Sequence, residues 1–475
     1  MMKSKSDLLL KNTFIYTIGN FGSKLLSFAL VPIYSFYLTK ADLGYYDLIL
    51  TSLSLAVPFI TLQIADAAYR WLVEEQEDEQ KKKAAVTNGI ALLGLNSLVF
   101  CVIFMIASLF INLQHPVYIF FIMLVGCVQP FLMQTVRGLG KSTLYSMGGI
   151  VNIVLVLFFN ILFLYLSKMT LETLLLSMIL ANVITLAWIV FKSGLLSFVD
   201  TSLFSMRELK SMVRYSWPLI PNTISWWLIN EVNRFIILYS MGASANGVFA
   251  IANKFPSIII IVNSIFMLSW QDHAMSTLHD KGKEEMNSKI FNTYMVLEFT
   301  MVIFLTTVSK FMVTHLIGNA YFDAWRYMPV LYLSVAFSSF SGFFGVAYLG
   351  AKKTSSVFTT SLYGSLVNIA VTFLLIKEIG LFAPAVGSAL GFLVMYAVRL
   401  YQTRSFFKVH VNYPLFFLLL GLSILFIWLA FLDNKYVEII SVVAALLIGI
   451  VFNRELVAYL FSFSRKMVKR FNFAS

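Results

Sequence analysis

Charge is what this sequence lacks most. Only 12% of its 475 residues are Asp, Glu, Lys or Arg, while 59% are hydrophobic. A soluble chain of this length could not cover its core with so little polar surface, which excludes a water-soluble enzyme or binding module. Cysteine is nearly absent: Cys101 and Cys127 both lie in apolar runs. They have no metal-site spacing, and both are expected to be reduced packing residues. The five histidines form no cluster. No Walker A sequence occurs, and no gap between apolar runs exceeds roughly 25 residues, so there is no room for a nucleotide-binding domain. A large external loop is missing too. A membrane-embedded glycosyltransferase or ligase, the rival class, would need one to carry its catalytic acids. The chain is therefore read as a non-enzyme.

What is present is a series of apolar runs. About fourteen are long enough to cross a bilayer as helices. They span 12–38, 43–69, 84–111, 116–136, 144–166, 171–191, 216–240, 245–270, 289–314, 326–349, 356–376, 381–401, 414–432 and 437–461. They are too long for barrel strands, so the expected class is an all-α polytopic membrane protein. The cations alternate between the gaps. Odd gaps hold only Lys40, Lys168, Lys310, Arg326, Lys377 and Lys435. Even gaps and both termini hold most of the 35 Lys+Arg, with Arg399 and Arg454 assigned to them. The positive-inside rule then makes both termini cytoplasmic. The basic charge is spread over short loops, which argues against a nucleic-acid partner. Lys3 and Lys5 resemble the start of a signal peptide, but the apolar run continues to Leu38 without a small-residue cleavage site, so helix 1 is expected to be retained. Glu74–Lys83 (EEQEDEQKKK) reads as a solvated turn.

The chain also repeats itself. A shift of 203 positions brings Lys11 onto Arg214, Phe14 onto Trp217, Gly44 onto Gly247 and Tyr46 onto Phe249. A second echo joins Gly140-Lys141 and Asn152 to Gly350-Ala351-Lys352 and Asn368. Six helices separate the copies, so both start on the same side. The expectation is two six-helix lobes, 1–200 and 201–408, related by a pseudo-two-fold axis along the membrane normal. Residues 409–475 add two further helices and a basic tail.

Four segments carry a family likeness: 11–49 (KNTFIYTIGNFGSKLLSFALVPIYSFYLTKADLGYYDLI), 134–141 (QTVRGLGK), 233–255 (NRFIILYSMGASANGVFAIANKF) and 379–391 (IGLFAPAVGSALG). Together they resemble the Wzx-type polysaccharide flippases of the multidrug/oligosaccharidyl-lipid/polysaccharide superfamily. The likeness runs in order along essentially the whole chain. It departs at Asn233, where the family often has Asp before the Arg. The resemblance implies movement of an undecaprenyl-diphosphate-linked oligosaccharide across a bacterial inner membrane, for O-antigen, capsule or exopolysaccharide assembly. It implies as partners the lipid-linked oligosaccharide, the bilayer and other polysaccharide assembly proteins. A multidrug extrusion antiporter is the rival within the superfamily.

Candidate site residues follow from that chemistry. An anionic diphosphate calls for cations inside the membrane, where they are costly and normally face a cavity. Lys24, Arg234 and Lys254 lie deep within spans and are expected to line a cavity between the lobes. Asn20 extends the Lys24 face, and Asn230 and Asn233 flank Arg234. Trp226 and Trp227 could stack on sugar or pack against the protein. No cofactor is expected, but transport could be coupled to H⁺ or Na⁺ through a buried carboxylate, for which Asp47, Glu298 and Glu231 are the candidates. Asp66 and Arg70, four apart, read as a structural ion pair.

Overall fold

The computed structural model describes residues 22, 24, 26–75, 77–276, 282–351, 353–432, 434–454 and 458. Among them only helices and turns occur. Eighteen α-helices follow one another: α1 (Leu26–Tyr37), α2 (Lys40–Thr61), α3 (Ile64–Glu74), α4 (Glu79–Phe110), α5 (Pro116–Gly138), α6 (Ser142–Leu166), α7 (Leu171–Ser193), α8 (Met206–Ser216), α9 (Ile220–Asn230), α10 (Asn233–Met241), α11 (Ala243–Lys254), α12 (Ser257–Ser276), α13 (Lys283–Leu316), α14 (Met328–Gly350), α15 (Thr354–Ile379), α16 (Phe382–Thr403), α17 (Tyr413–Ala430) and α18 (Lys435–Phe452).

Eleven of these are long and apolar enough to cross a membrane by themselves. The other expected spans are α1 and two broken ones, α9 with α10 and α11 with α12. All fourteen apolar runs are thus helical where the structure describes them. The run at 43–69 is also broken, into α2 and α3. Leu62 and Gln63 take left-handed φ values of 50° and 56°, which no helix can continue through.

Polar residues at the ends mark the helix starts. Thr39 caps α2 by accepting from the Asp42 amide (3.1 Å), and Asp78 caps α4 through the Lys81 amide (3.1 Å). Thr170 and Thr173 form a capping box on α7, which ends at Gly194 with φ 63°. Within the polar stretch, α3 ends at Glu74 and α4 already begins at Glu79, so Lys81–Lys83 are helical; Lys81 pairs with Glu75 at 3.0 Å.

The chain forms two compact units, Met1–Ala250 and Ile251–Ser475. In the first, α3 packs its alanine-rich face (Ala65, Ala67, Ala68) with Phe131 of α5 and Val86 of α4. Small side chains let these helices approach closely. Cys127 belongs to this core, and both cysteines are free thiols. Helix α6 has only 11% of its most apolar window buried inside the protein. Its exposed apolar faces suit lipid contact rather than water. In the second unit α13, 34 residues and about 51 Å long, is the central helix. Phe291, Phe340, Phe343 and Tyr396 form an aromatic core against it. Helices α17 and α18 dock on α13 through Phe426, Ala445 and Ile303 and through Lys310–Glu438 at 2.6 Å.

Candidate functional site

The most developed polar site in the first unit begins with two glycines. A Cβ on Gly44 would sit 1.9 Å from the Ala243 carbonyl oxygen, and one on Gly247 would sit 2.0 Å from the Lys40 carbonyl oxygen. Lys40 and Ala243 have the same sequence offset as Gly44 and Gly247. The contact is therefore reciprocal: each glycine meets the backbone of the residue four positions before the other. Only glycine permits α2 and α11 to come this close. Asn246 locks the crossing by donating its amide to the Gly44 carbonyl at 2.8 Å.

This approach places Asp47, one turn further along α2, against α10. Arg234 Nε donates to Asp47 Oδ2 at 3.2 Å, and Arg234 Nη1 lies 3.0 Å from Glu231 Oε2. Nη1 also donates to the Asn230 carbonyl, freed where α9 breaks. The Arg234 and Asp47 side chains are only 13% and 11% exposed. One guanidinium thus serves two carboxylates, and the cluster carries a net negative charge. It is not a ready-made cradle for an anion.

The other expected site residues fall in different places. Lys24 is helical and exposed, and Lys254, at the end of α11, is exposed. Asn20 lies outside the described residues. Asn230 is exposed, with its amide donating to the Trp226 carbonyl at 2.8 Å. Asn233 is buried. Trp227 is a packing residue: its indole N–H reaches the Thr51 carbonyl and Ser54 Oγ on α2, both at 3.1 Å. Glu298 is wholly buried in the second unit.

The expected Asp66–Arg70 pair is not formed. Arg70 instead bonds Glu74 at 2.6 Å, one turn the other way. Its guanidinium lies 4.4 Å from the Tyr215 ring centre, and the aromatic surface holds it on that side. Asp66 feels the charge of Arg137 instead, whose guanidinium stacks over Tyr69 at 4.6 Å. Asp66, Tyr69, Arg70, Glu74, Tyr215 and Leu219 line a cavity of about 390 Å³. Alternative i,i+4 partners on both sides of Arg70 made the sequence ambiguous there.

Arg399, counted with the even gaps as a cation at the cytoplasmic end of its span, is only 1% exposed. It donates to Thr360 Oγ1 (3.0 Å), the Ser341 carbonyl (2.9 Å) and Ser361 Oγ (3.1 Å). The signal was available in Ser341, Thr360 and Ser361, polar residues inside neighbouring apolar runs. Helix α8 was also missed. Its Leu209 and Met212, three apart and both buried, give it one apolar face. Just before it, the Ser202 hydroxyl and amide hold the Asp200 carboxyl below the ordinary aspartate range.

Comparison with known proteins gives the fold a context. Among curated proteins no sequence match is found. Among solved structures, the lipid II flippase MurJ in an inward closed conformation superposes with a TM-score of 0.72 at 12% identity, covering 94% of this chain and 100% of MurJ. A multidrug resistance MATE family transporter of the MOP superfamily, inward-facing, gives 0.66 at 12% identity over 82% of this chain and 94% of its own. An outward-facing MATE family transporter gives 0.58 at 12% identity over 84% and 95%. These likenesses establish a shared fold. The family described as polysaccharide biosynthesis protein matches residues 9–270, more than half of the chain. With that match, this multi-pass membrane protein belongs to the polysaccharide biosynthesis protein family.

Proposed function

We propose that this protein is a flippase for an undecaprenyl-diphosphate-linked oligosaccharide repeat unit. It would move the unit from the cytoplasmic to the periplasmic leaflet of a bacterial inner membrane by alternating access, feeding O-antigen, capsule or exopolysaccharide assembly. The observation that carries this reading is the family match at residues 9–270 on a fold shared with a lipid II flippase. Both termini would face the cytoplasm, where most of the cations lie.

The physical task is to carry a glycan and a diphosphate through hydrocarbon while the polyprenyl tail stays in lipid. Lys24 and Lys254 are exposed and fall within expected spans, and we assign them as contacts for the diphosphate. Arg234 is already held by Asp47 and Glu231. A diphosphate could recruit it only by displacing those carboxylates, so the cluster acts as a latch rather than as the first point of capture. The chain supplies binding and movement, with no bond-making chemistry of its own.

The net acidic cluster favours a second reading, extrusion of an organic cation. One experiment separates the two. Proteoliposomes receive a fluorescent undecaprenyl-diphosphate oligosaccharide or a fluorescent cationic drug. Movement of the lipid-linked sugar, abolished in Lys24→Ala and partly kept in Lys24→Arg, supports the flippase. Movement of the cation alone would replace it with the extrusion reading.

A further inference from the structure

The second unit holds a carboxylate that no part of the Arg234 site explains. Glu298 lies in the middle of α13 and is 0% exposed. Neither carboxylate oxygen has a hydrogen-bond partner among the described residues. Its neighbours are Tyr294 on the same helix, Asn263 on α12 and Ser339 on α14. They lie against it without closing to hydrogen-bond geometry. Tyr294 Oη and Asn263 Oδ1 are unsatisfied as well. Ser339 has no proton to offer, because its hydroxyl donates to the Val335 carbonyl at 2.9 Å while accepting from Asn263.

Among the described residues no Lys, Arg, Asp or His side chain acts on Glu298. On α13 the nearest paired cation is Lys310, bound to Glu438 of α18, twelve residues or about 18 Å away along the helix. Lys289, nine residues the other way, is exposed. Neither α14 nor α17 contains a Lys, Arg, His, Asp or Glu, and on α12 Asp272 and His273 come more than two turns after Asn263. Among the described residues Tyr294 is the one titratable side chain against the carboxyl, and its ring stacks on Phe266 at 3.9 Å. An ionised carboxylate here would be a wholly buried charge with no hydrogen-bond partner and no counter-charge among the described residues, at a cost of several kcal/mol. A proton removes that charge and needs no added volume. Na⁺ would need several converging oxygens, and Ser339 and Asn263 are already bonded to each other.

We propose that Glu298 is a proton-binding site, wholly buried in this structure, that takes up one proton and releases it when the unit opens. Binding is the simple equilibrium RCOO⁻ + H⁺ ⇌ RCOOH, so no other reactant is required. Its use as the coupling site for export rests on the flippase reading above. The binding itself does not.

Two measurements on the full-length protein in lipid test the two parts separately. Infrared difference spectra should show a protonated-carboxyl C=O band that is lost in Glu298→Gln and shifted but kept in Glu298→Asp. Absence of that band from the wild type overturns the site, whether or not any substrate moves. In proteoliposomes with an imposed pH gradient, the equilibrium distribution of lipid-linked oligosaccharide should shift about tenfold per pH unit for one proton exchanged. Glu298→Gln should equilibrate to the same distribution with or without the gradient. A gradient response retained in Glu298→Gln, or a response to Na⁺ alone, overturns the coupling role. If neither protein moves the sugar, the flippase reading fails and the infrared band still decides the proton site.

Discussion

Replacing Gly44 with Ala would strike the crossing on which the Asp47–Arg234 contact depends. The new Cβ would lie 1.9 Å from the Ala243 carbonyl oxygen, 2.8 Å from the Gly247 nitrogen and 2.9 Å from the Ala243 carbonyl carbon. All three are backbone atoms, so no rotamer change relieves the clash. Helices α2 and α11 must part by about 1.5 Å to reach ordinary contact, and overpacking of this kind costs about 1–3 kcal/mol. The Asn246–Gly44 bond, 2.8 Å long, would be lost as well, for about 1 kcal/mol. Gly44→Ala should therefore destabilise the purified protein by about 2–4 kcal/mol in a mixed-micelle unfolding titration. Gly126→Ala is the control. Its Cβ would meet only the Leu53 side chain, at 2.7 Å, which can turn aside. Gly247→Ala should match Gly44→Ala, because the contact is reciprocal. The double variant should cost clearly less than the sum, since one separation makes room for both methyls. Additive losses, or a Gly44→Ala loss no larger than that of Gly126→Ala, would refute the shared crossing.

Arg234→Ala should cost about 3 kcal/mol by leaving two partly buried carboxylates facing each other, and adding Asp47→Asn should recover part of it in the same titration. Arg70→Ala, which breaks an exposed pair, should cost far less. Arg399→Lys should lower stability by about 3 kcal/mol, because an ammonium cannot reproduce the planar fork that joins Ser341, Thr360 and Ser361. Asp200 has a folded pKa depressed below its unfolded value. Its contribution is present above the unfolded value and lost as pH falls through the folded one. Asp200→Asn should remove that part of the pH dependence of thermal stability. Reporter fusions after Thr39, Leu113, Lys168 and Leu432 should read periplasmic, and those after Lys83, Lys141, Lys210 and Lys353 cytoplasmic.

The helices were legible because burial in lipid demands long, unbroken apolar runs, and charge can gather only between them. Gly44 and Gly247 stood out in the sequence as aligned glycines, and in the structure they form one close helix crossing. The break between α11 and α12 falls at Pro256, which marks it in the sequence, but the break inside the 43–69 run was not legible. Leu62 and Gln63 adopt left-handed geometry without a glycine or proline to announce it. The sequence offered Arg234 two acidic partners, Glu231 nearby and Asp47 at a distance of 187 positions, and only the fold shows that it takes both. Charge counting grouped Arg399 with the even gaps because it weighs position along the chain and ignores the serines and threonines of adjacent helices. Glu298 was singled out as a carboxylate remote from cations. Its burial beside Tyr294, Asn263 and Ser339 depends on how α12, α13 and α14 pack, which composition does not encode.

The central claim is that the protein carries a lipid-linked glycan outward, and the most direct measurement is the sidedness of that lipid in cells. Expression of the protein is shut off, and inner-membrane vesicles of both orientations are exposed to a glycan-modifying enzyme that cannot cross the bilayer. The account predicts that undecaprenyl-diphosphate oligosaccharide accumulates on the cytoplasmic face, and that wild-type protein restores its periplasmic pool while the Lys24→Ala variant does not. An unchanged periplasmic pool after depletion would contradict it.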